Sequence, residues 1–164
     1  MLSRIDRFVG QAEVAAAGLL IAVIATAVFL QVWFRYVFHS PLAWTEELSR
    51  YLQVWLTAIG AGIGVRLGMH FRLDIIFLVI PSTALRWYRL AIVLASLVFI
   101  GMLFWYGIAI LQTVRLQHSP AMSVSMAFPY LAIPTGAGLM GFHAIVKVLQ
   151  ALGGEAPVVE EESH

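Results

Sequence analysis

The stretch "RYVFHSPLAWTEELSRYLQVWLTAIGAGIGVR", residues 35–66, decides the fold. It sets two adjacent glutamates and an arginine among tryptophans, a tyrosine and leucines, then runs into small apolar residues. Ser40 as N-cap and Pro41 as first helical residue predict a helix over 41–65. At about 100° per residue, Glu46, Arg50, Gln53, Thr57, Gly60 and Gly64 fall within about 40° of one line. Trp44, Leu48, Tyr51, Trp55 and Ile59 fall opposite. In a chain that is 61% hydrophobic, the solvent for such a helix is lipid. The aromatic face suits lipid and headgroups. The other face is polar, then small, which suits close contact with another helix. Glu46, Glu47 and Arg50 belong in or just under the outer headgroup layer. Glu46 and Arg50 are spaced for an i, i+4 pair, and acids near a helix start suit its dipole. The plainer alternative is that these charges only anchor the helix at the interface. Six residues on one line favour a seam against another helix or subunit, because ionisable groups in membranes normally have partners. Arg35, with Gln31 one turn earlier, is the nearest partner within the chain.

Working outward, the class is all-α integral membrane. Only 12% of the 164 residues are charged, about half the usual share of a soluble domain. Four apolar stretches reach or approach the ~20 residues that cross a bilayer. The reading is four transmembrane helices over 11–37, 41–65, 82–115 and 124–151. The third is long enough, at ~50 Å, to overshoot the hydrocarbon core or tilt. Pro129 and Pro134 predict a bend or late start in the fourth. The segment 65–82, closed by Pro81, is expected to be a short amphipathic surface helix. Residues 1–152 form one domain, and 153–164 an acidic, disordered tail. The apolar run from Val14 to Phe34 exceeds a signal-peptide core and lacks a small-residue cleavage site, so it is expected to stay as the first span.

Seven of the ten basic residues fall on one side: Arg4, Arg7, Arg66, Arg72, Arg86, Arg89 and Lys147. Arg35, Arg50 and Arg115 fall on the other. Both termini are therefore expected in the cytoplasm. A net charge of +1 without a basic patch argues against a nucleic-acid partner. The chain has no cysteine, which excludes disulfides and thiol chemistry.

Arg35, Tyr36, Pro41, Trp44, Glu46, Glu47, Leu48, Arg50 and Tyr51, followed by Arg66, His70, Asp74 and Pro81, form a longer pattern. Ser119, Pro120, Pro134 and Gly136 extend it. The chain from about 30 to 142 resembles the small membrane subunit of tripartite ATP-independent periplasmic (TRAP) transporters, the DctQ type. The resemblance implies a bacterial inner-membrane complex. A periplasmic binding protein delivers an organic acid, and a large polytopic permease subunit carries it by symport with sodium ions that it binds itself. The small subunit scaffolds the large one and has no cofactor of its own. The alternative is a membrane-anchor or accessory subunit of another inner-membrane complex, such as a redox enzyme.

Other signals are weaker. "GAGLMG", residues 136–141, matches a dinucleotide fingerprint but lies inside an apolar helix, where close packing explains the glycines. His39, His70 and His118 sit in connections and His164 in the tail, which does not suit haem ligation; His143 alone lies within a helix, where an interhelical hydrogen bond or an interface position is expected. His70 and Asp74, at i, i+4, are too few to hold a metal and read as a surface hydrogen bond. Glu13 invites comparison with a four-helix exporter built on a first-helix carboxylate; at the end of its helix it is expected to be solvated. No nucleophile–base constellation appears, so no enzymatic activity is expected.

Overall fold

The computed structural model describes residues 2–68 and 82–152. The proposed surface helix with His70 and Asp74, and the tail 153–164, lie outside the described residues. Four long helices and one short one make up the rest: α1 Leu2–Tyr36, α2 Ala43–Arg66, α3 Ser82–Val114, α4 Ala127–Tyr130 and α5 Ala132–Leu152. No β-strand occurs among the described residues; His118 and Ser125 form one isolated bridge.

The ends of the helices follow local chemistry. α1 begins well before residue 11 because Asp6 and Gly10 already pack inward. It closes where His39 takes a left-handed conformation (φ 53°) and the Ser40 N–H donates to the Phe34 carbonyl at 3.1 Å. Ser40 thus ends α1 rather than capping α2. The cap position of α2 is Leu42, extended at φ −90°, ψ 99°, with no side-chain cap bond. The Thr45 hydroxyl instead donates back to the Leu42 carbonyl at 2.7 Å. The fourth predicted helix is divided. α4 carries Pro129, and α5 has Pro134 within its first turn, where no intrahelical N–H bond is forfeited.

The long helices stand in a row, α1 against α2, α2 against α5, α5 against α3. Packing in lipid relies on dispersion and hydrogen bonding rather than water exclusion, and small residues bring backbones together. A Cβ at Gly136 would lie 2.9 Å from the Ala58 carbonyl oxygen. At Gly107 it would lie 3.1 Å from the backbone nitrogen of Pro134. The compact centre is Val65, Ile100, Ala137, Met140 and Ala144. Leu19, Phe29, Val98, Phe99 and Trp105 remain exposed on α1 and α3, as lipid-facing residues do.

Three helices are long and apolar enough to cross a membrane: Arg4–Tyr36, Ala91–Val114 and Ala127–Gln150. α2 has 24 residues, ~36 Å of helix, but carries Glu46, Glu47, Arg50 and Arg66.

Candidate subunit interface

The two faces of α2 separate as the helical wheel predicts, but the aromatic face is not turned to lipid. Tyr51 is buried. Trp55 is half-buried, lies 5.8 Å from the Phe128 ring and donates its indole N–H to the Phe128 carbonyl at 3.1 Å. This face meets α4, α5 and the 115–126 loop, because rings with a polar tip find both an apolar wall and a hydrogen-bond acceptor there. Trp44, in the first turn, is exposed.

The opposite line is open. Glu46, Arg50, Gln53, Thr57 and Gly60 are all exposed, and Gly64 is half-buried. A Cβ on Gly60 would meet nothing within 4 Å. Arg50 Nη2 donates to Glu46 Oε1 at 2.9 Å, and the Thr57 hydroxyl turns back on the Gln53 carbonyl at 2.9 Å. The result is a flat strip with one internally compensated charge pair and little side-chain bulk beyond it. Arg35 is exposed and makes no ion pair among the described residues.

Glu47 leaves that line. Its Oε2 accepts the backbone N–H groups of Ala121 at 3.1 Å and Met122 at 2.9 Å. Its Oε1 accepts the Tyr51 hydroxyl at 2.6 Å. The loop it clasps is tied internally by Ser119, whose N–H donates to the Val124 carbonyl at 2.9 Å. Ser123 takes a positive φ of 55°. Sequence reasoning missed this clasp: backbone donors 74 and 75 residues away leave no pattern in side chains.

A second polar cluster lies at the other end of α2. His143 on α5 is fully buried. Its Nδ1 sits 2.7 Å from Asp6 Oδ1, and its Nε2 sits 3.1 Å from both oxygens of Glu13. Arg66 Nε reaches Asp6 Oδ2 at 3.5 Å. Asp6 and Glu13, seven residues apart on α1, share one stripe. The expectation of a solvated Glu13 is overturned: it is 5% exposed, because His143 supplies from another helix the hydrogen bonds that water would have given. Of the two roles expected of His143, the geometry shows the interhelical hydrogen-bonder. The cluster joins α1, α2 and α5, and Gly62 gives the Glu13 carboxylate room; a Cβ there would lie 2.9 Å from Oε1.

Apolar helices in a row, joined by polar clasps and with an open polar-and-small strip along one of them, describe an all-α integral membrane protein. Residues 12–154 match the family described as "Tripartite ATP-independent periplasmic transporters, DctQ component". The chain belongs to that family, whose members reside in the bacterial inner membrane. It is 32% identical over 127 residues to the C4-dicarboxylate TRAP transporter small permease protein DctQ of Rhodobacter capsulatus, covering 75% of this chain and 53% of that one. It is 28% identical over 139 residues to the isethionate TRAP transporter permease protein DctMQ of Oleidesulfovibrio alaskensis, covering 78% of this chain and 21% of that one. It is 23% identical over 140 residues to the sialic acid TRAP transporter small permease protein SiaQ of Vibrio cholerae, covering 85% and 80%. The chain thus spans about a fifth of the length of DctMQ and about half of that of DctQ from Rhodobacter. These matches favour the transporter reading over an anchor for another complex.

Proposed function

We propose that this chain is the small subunit of a TRAP-type secondary transporter. It scaffolds a large permease subunit during ion-driven uptake of an organic acid delivered by a periplasmic binding protein. The observation that carries the reading is the open strip on α2. Five exposed polar or small residues on one line, with empty space over Gly60, suit close docking of a second helix. The match to one fifth of a longer permease protein supports a large partner, since in DctMQ the corresponding segment is joined to further chain. The relatives' names carry isethionate, a C4-dicarboxylate and sialic acid, which supports the organic-acid class. Sodium would bind the large subunit, and the small one takes no catalytic step and needs no cofactor. In this reading α2 is the fourth span, both termini are cytoplasmic, and residues 1–152 act as one domain.

The test is co-purification with the large subunit from detergent, alongside uptake in vesicles. Gly60→Leu and Gln53→Leu should weaken assembly and transport, because bulk on the strip separates the helices. Parent-like behaviour of both would remove α2 from the interface. A reporter fused after Glu162 should be active only in its cytoplasmic form; periplasmic activity would overturn the four-span topology.

A further inference from the structure

Where the start of α1 meets the end of α2, a partly open pocket of about 570 Å³ is lined by Arg7, Gly10, Gln11, Val14, Ala15 and Arg66. We infer that this pocket binds the phosphate-bearing headgroup of an anionic phospholipid. Its walls are graded. Arg7, Gln11 and Arg66 bring guanidinium and amide N–H donors to one end, and Val14 and Ala15 make the other end apolar. The boundary coincides with the start of the apolar run of α1, the depth at which a lipid's phosphate passes into its acyl chains. A free anion would use only the donor end; a phospholipid uses both.

The signs of charge are sorted around α1. Arg7, Gln11, Val14 and Ala15 follow one stripe, and Asp6 and Glu13 another. Glu13 is engaged by His143, and Asp6 by His143 on one oxygen and by Arg66 Nε, at the pocket's edge, on the other. None of the lining residues is acidic. Arg7 is exposed and makes no ion pair among the described residues. Arg66 is held in place from beneath. A Cβ at Gly10 would run into its guanidinium, so glycine is what lets the side chain lie across α1. The Asp6 contact through Nε leaves the two terminal nitrogens of Arg66 for another acceptor. Basic pockets between membrane helices on the cytoplasmic side suit phospholipid headgroups. The leaflet rests on the topology proposed above; the binding does not.

The experiment is native mass spectrometry of the purified full chain in detergent, titrated with palmitoyl-oleoyl phosphatidylglycerol or the matching phosphatidylcholine. Phosphatidylglycerol should bind at least about tenfold more tightly, from two arginines contributing near the membrane surface. Arg7→Gln should lower its affinity about fivefold and Arg7→Glu further, with phosphatidylcholine unaffected. Gln11→Glu keeps both arginines but sets a carboxylate one turn from Arg7 in the same lining, so it should also lower it. Circular dichroism should match the parent in all three variants; if an Arg7 variant misfolds, Gln11→Glu decides alone. Equal binding of the two lipids, or indifference to Arg7 and Gln11 substitutions, overturns the inference. So does displacement of the lipid by inorganic phosphate at equal concentration, which would make the site one for free phosphate. Loss of assembly with the large subunit would leave this result unchanged, so the two readings fail separately.

Discussion

Replacing His143 with leucine tests whether the buried cluster holds the helices together. The ring is 0% exposed and the Glu13 side chain 4%, so no water replaces what the ring provides. Three contacts go at once: one to Asp6 at 2.7 Å and two to Glu13 at 3.1 Å. Asp6 keeps Arg66, whereas Glu13 is left buried. Removing one member of a buried charged pair costs about 3–5 kcal/mol, chiefly through the partner left uncompensated. A neutral interhelical hydrogen bond in a membrane is worth at most about 1.7 kcal/mol, so the two cases are distinguishable. Arg50→Ala is the reference. Its pair with Glu46 is 69% and 57% exposed, and exposed i, i+4 pairs are worth about 0.3–0.5 kcal/mol. The assay is unfolding of the purified chain in micelles by rising denaturing detergent, followed by tryptophan fluorescence. His143→Leu should unfold far earlier than Arg50→Ala. Glu13→Leu added to His143→Leu should restore much of the loss, since it removes the orphaned carboxylate. If His143→Leu unfolds together with Arg50→Ala, or the double variant is worse than the single, the cluster is not what binds these helices.

Gly136→Leu should cost about 1–3 kcal/mol in the same assay, since even its first carbon would press on the Ala58 backbone. Gly138→Ala, whose Cβ would meet only Phe104 at 3.9 Å, should be near neutral. Glu47→Gln should speed hydrogen exchange at Ala121 and Met122 while α5 stays protected. Trp55→Leu should loosen α4 by removing the donor to Phe128 and the ring contact; unchanged exchange at residues 127–131 would count against that.

The helices were legible in the sequence because apolar runs, prolines and turn residues are local signals. The end of α1 and the start of α2 were misread at Ser40, since it suits a cap whether or not the chain uses it as one. The sorting of α2 into two faces was also legible, but not which face turns inward. In water, polarity decides that. In lipid, an aromatic face is equally at home against acyl chains or a neighbouring helix, and only Phe128 and the 115–126 loop settle it. Glu13 was misread because its partner lies 130 residues away. The available signal was joint: one histidine within an apolar helix, and two acids seven residues apart at the start of another. The basic lining of the α1–α2 pocket was present in the count of Arg7 and Arg66, which gave an orientation but no cavity.

The cluster around His143 also bears on how the chain is made. Asp6 and Glu13 emerge from the ribosome well before the ring that meets them, which lies 137 and 130 residues further on. Through most of synthesis the first helix therefore carries two carboxylates without their histidine, and a chain stopped before α5 never acquires it. α5 completes polar contacts that α1 begins, so that join distinguishes a chain that contains α5 from one cut before it. In a truncated chain Asp6 still has Arg66, and Glu13 is the acid left without its partner.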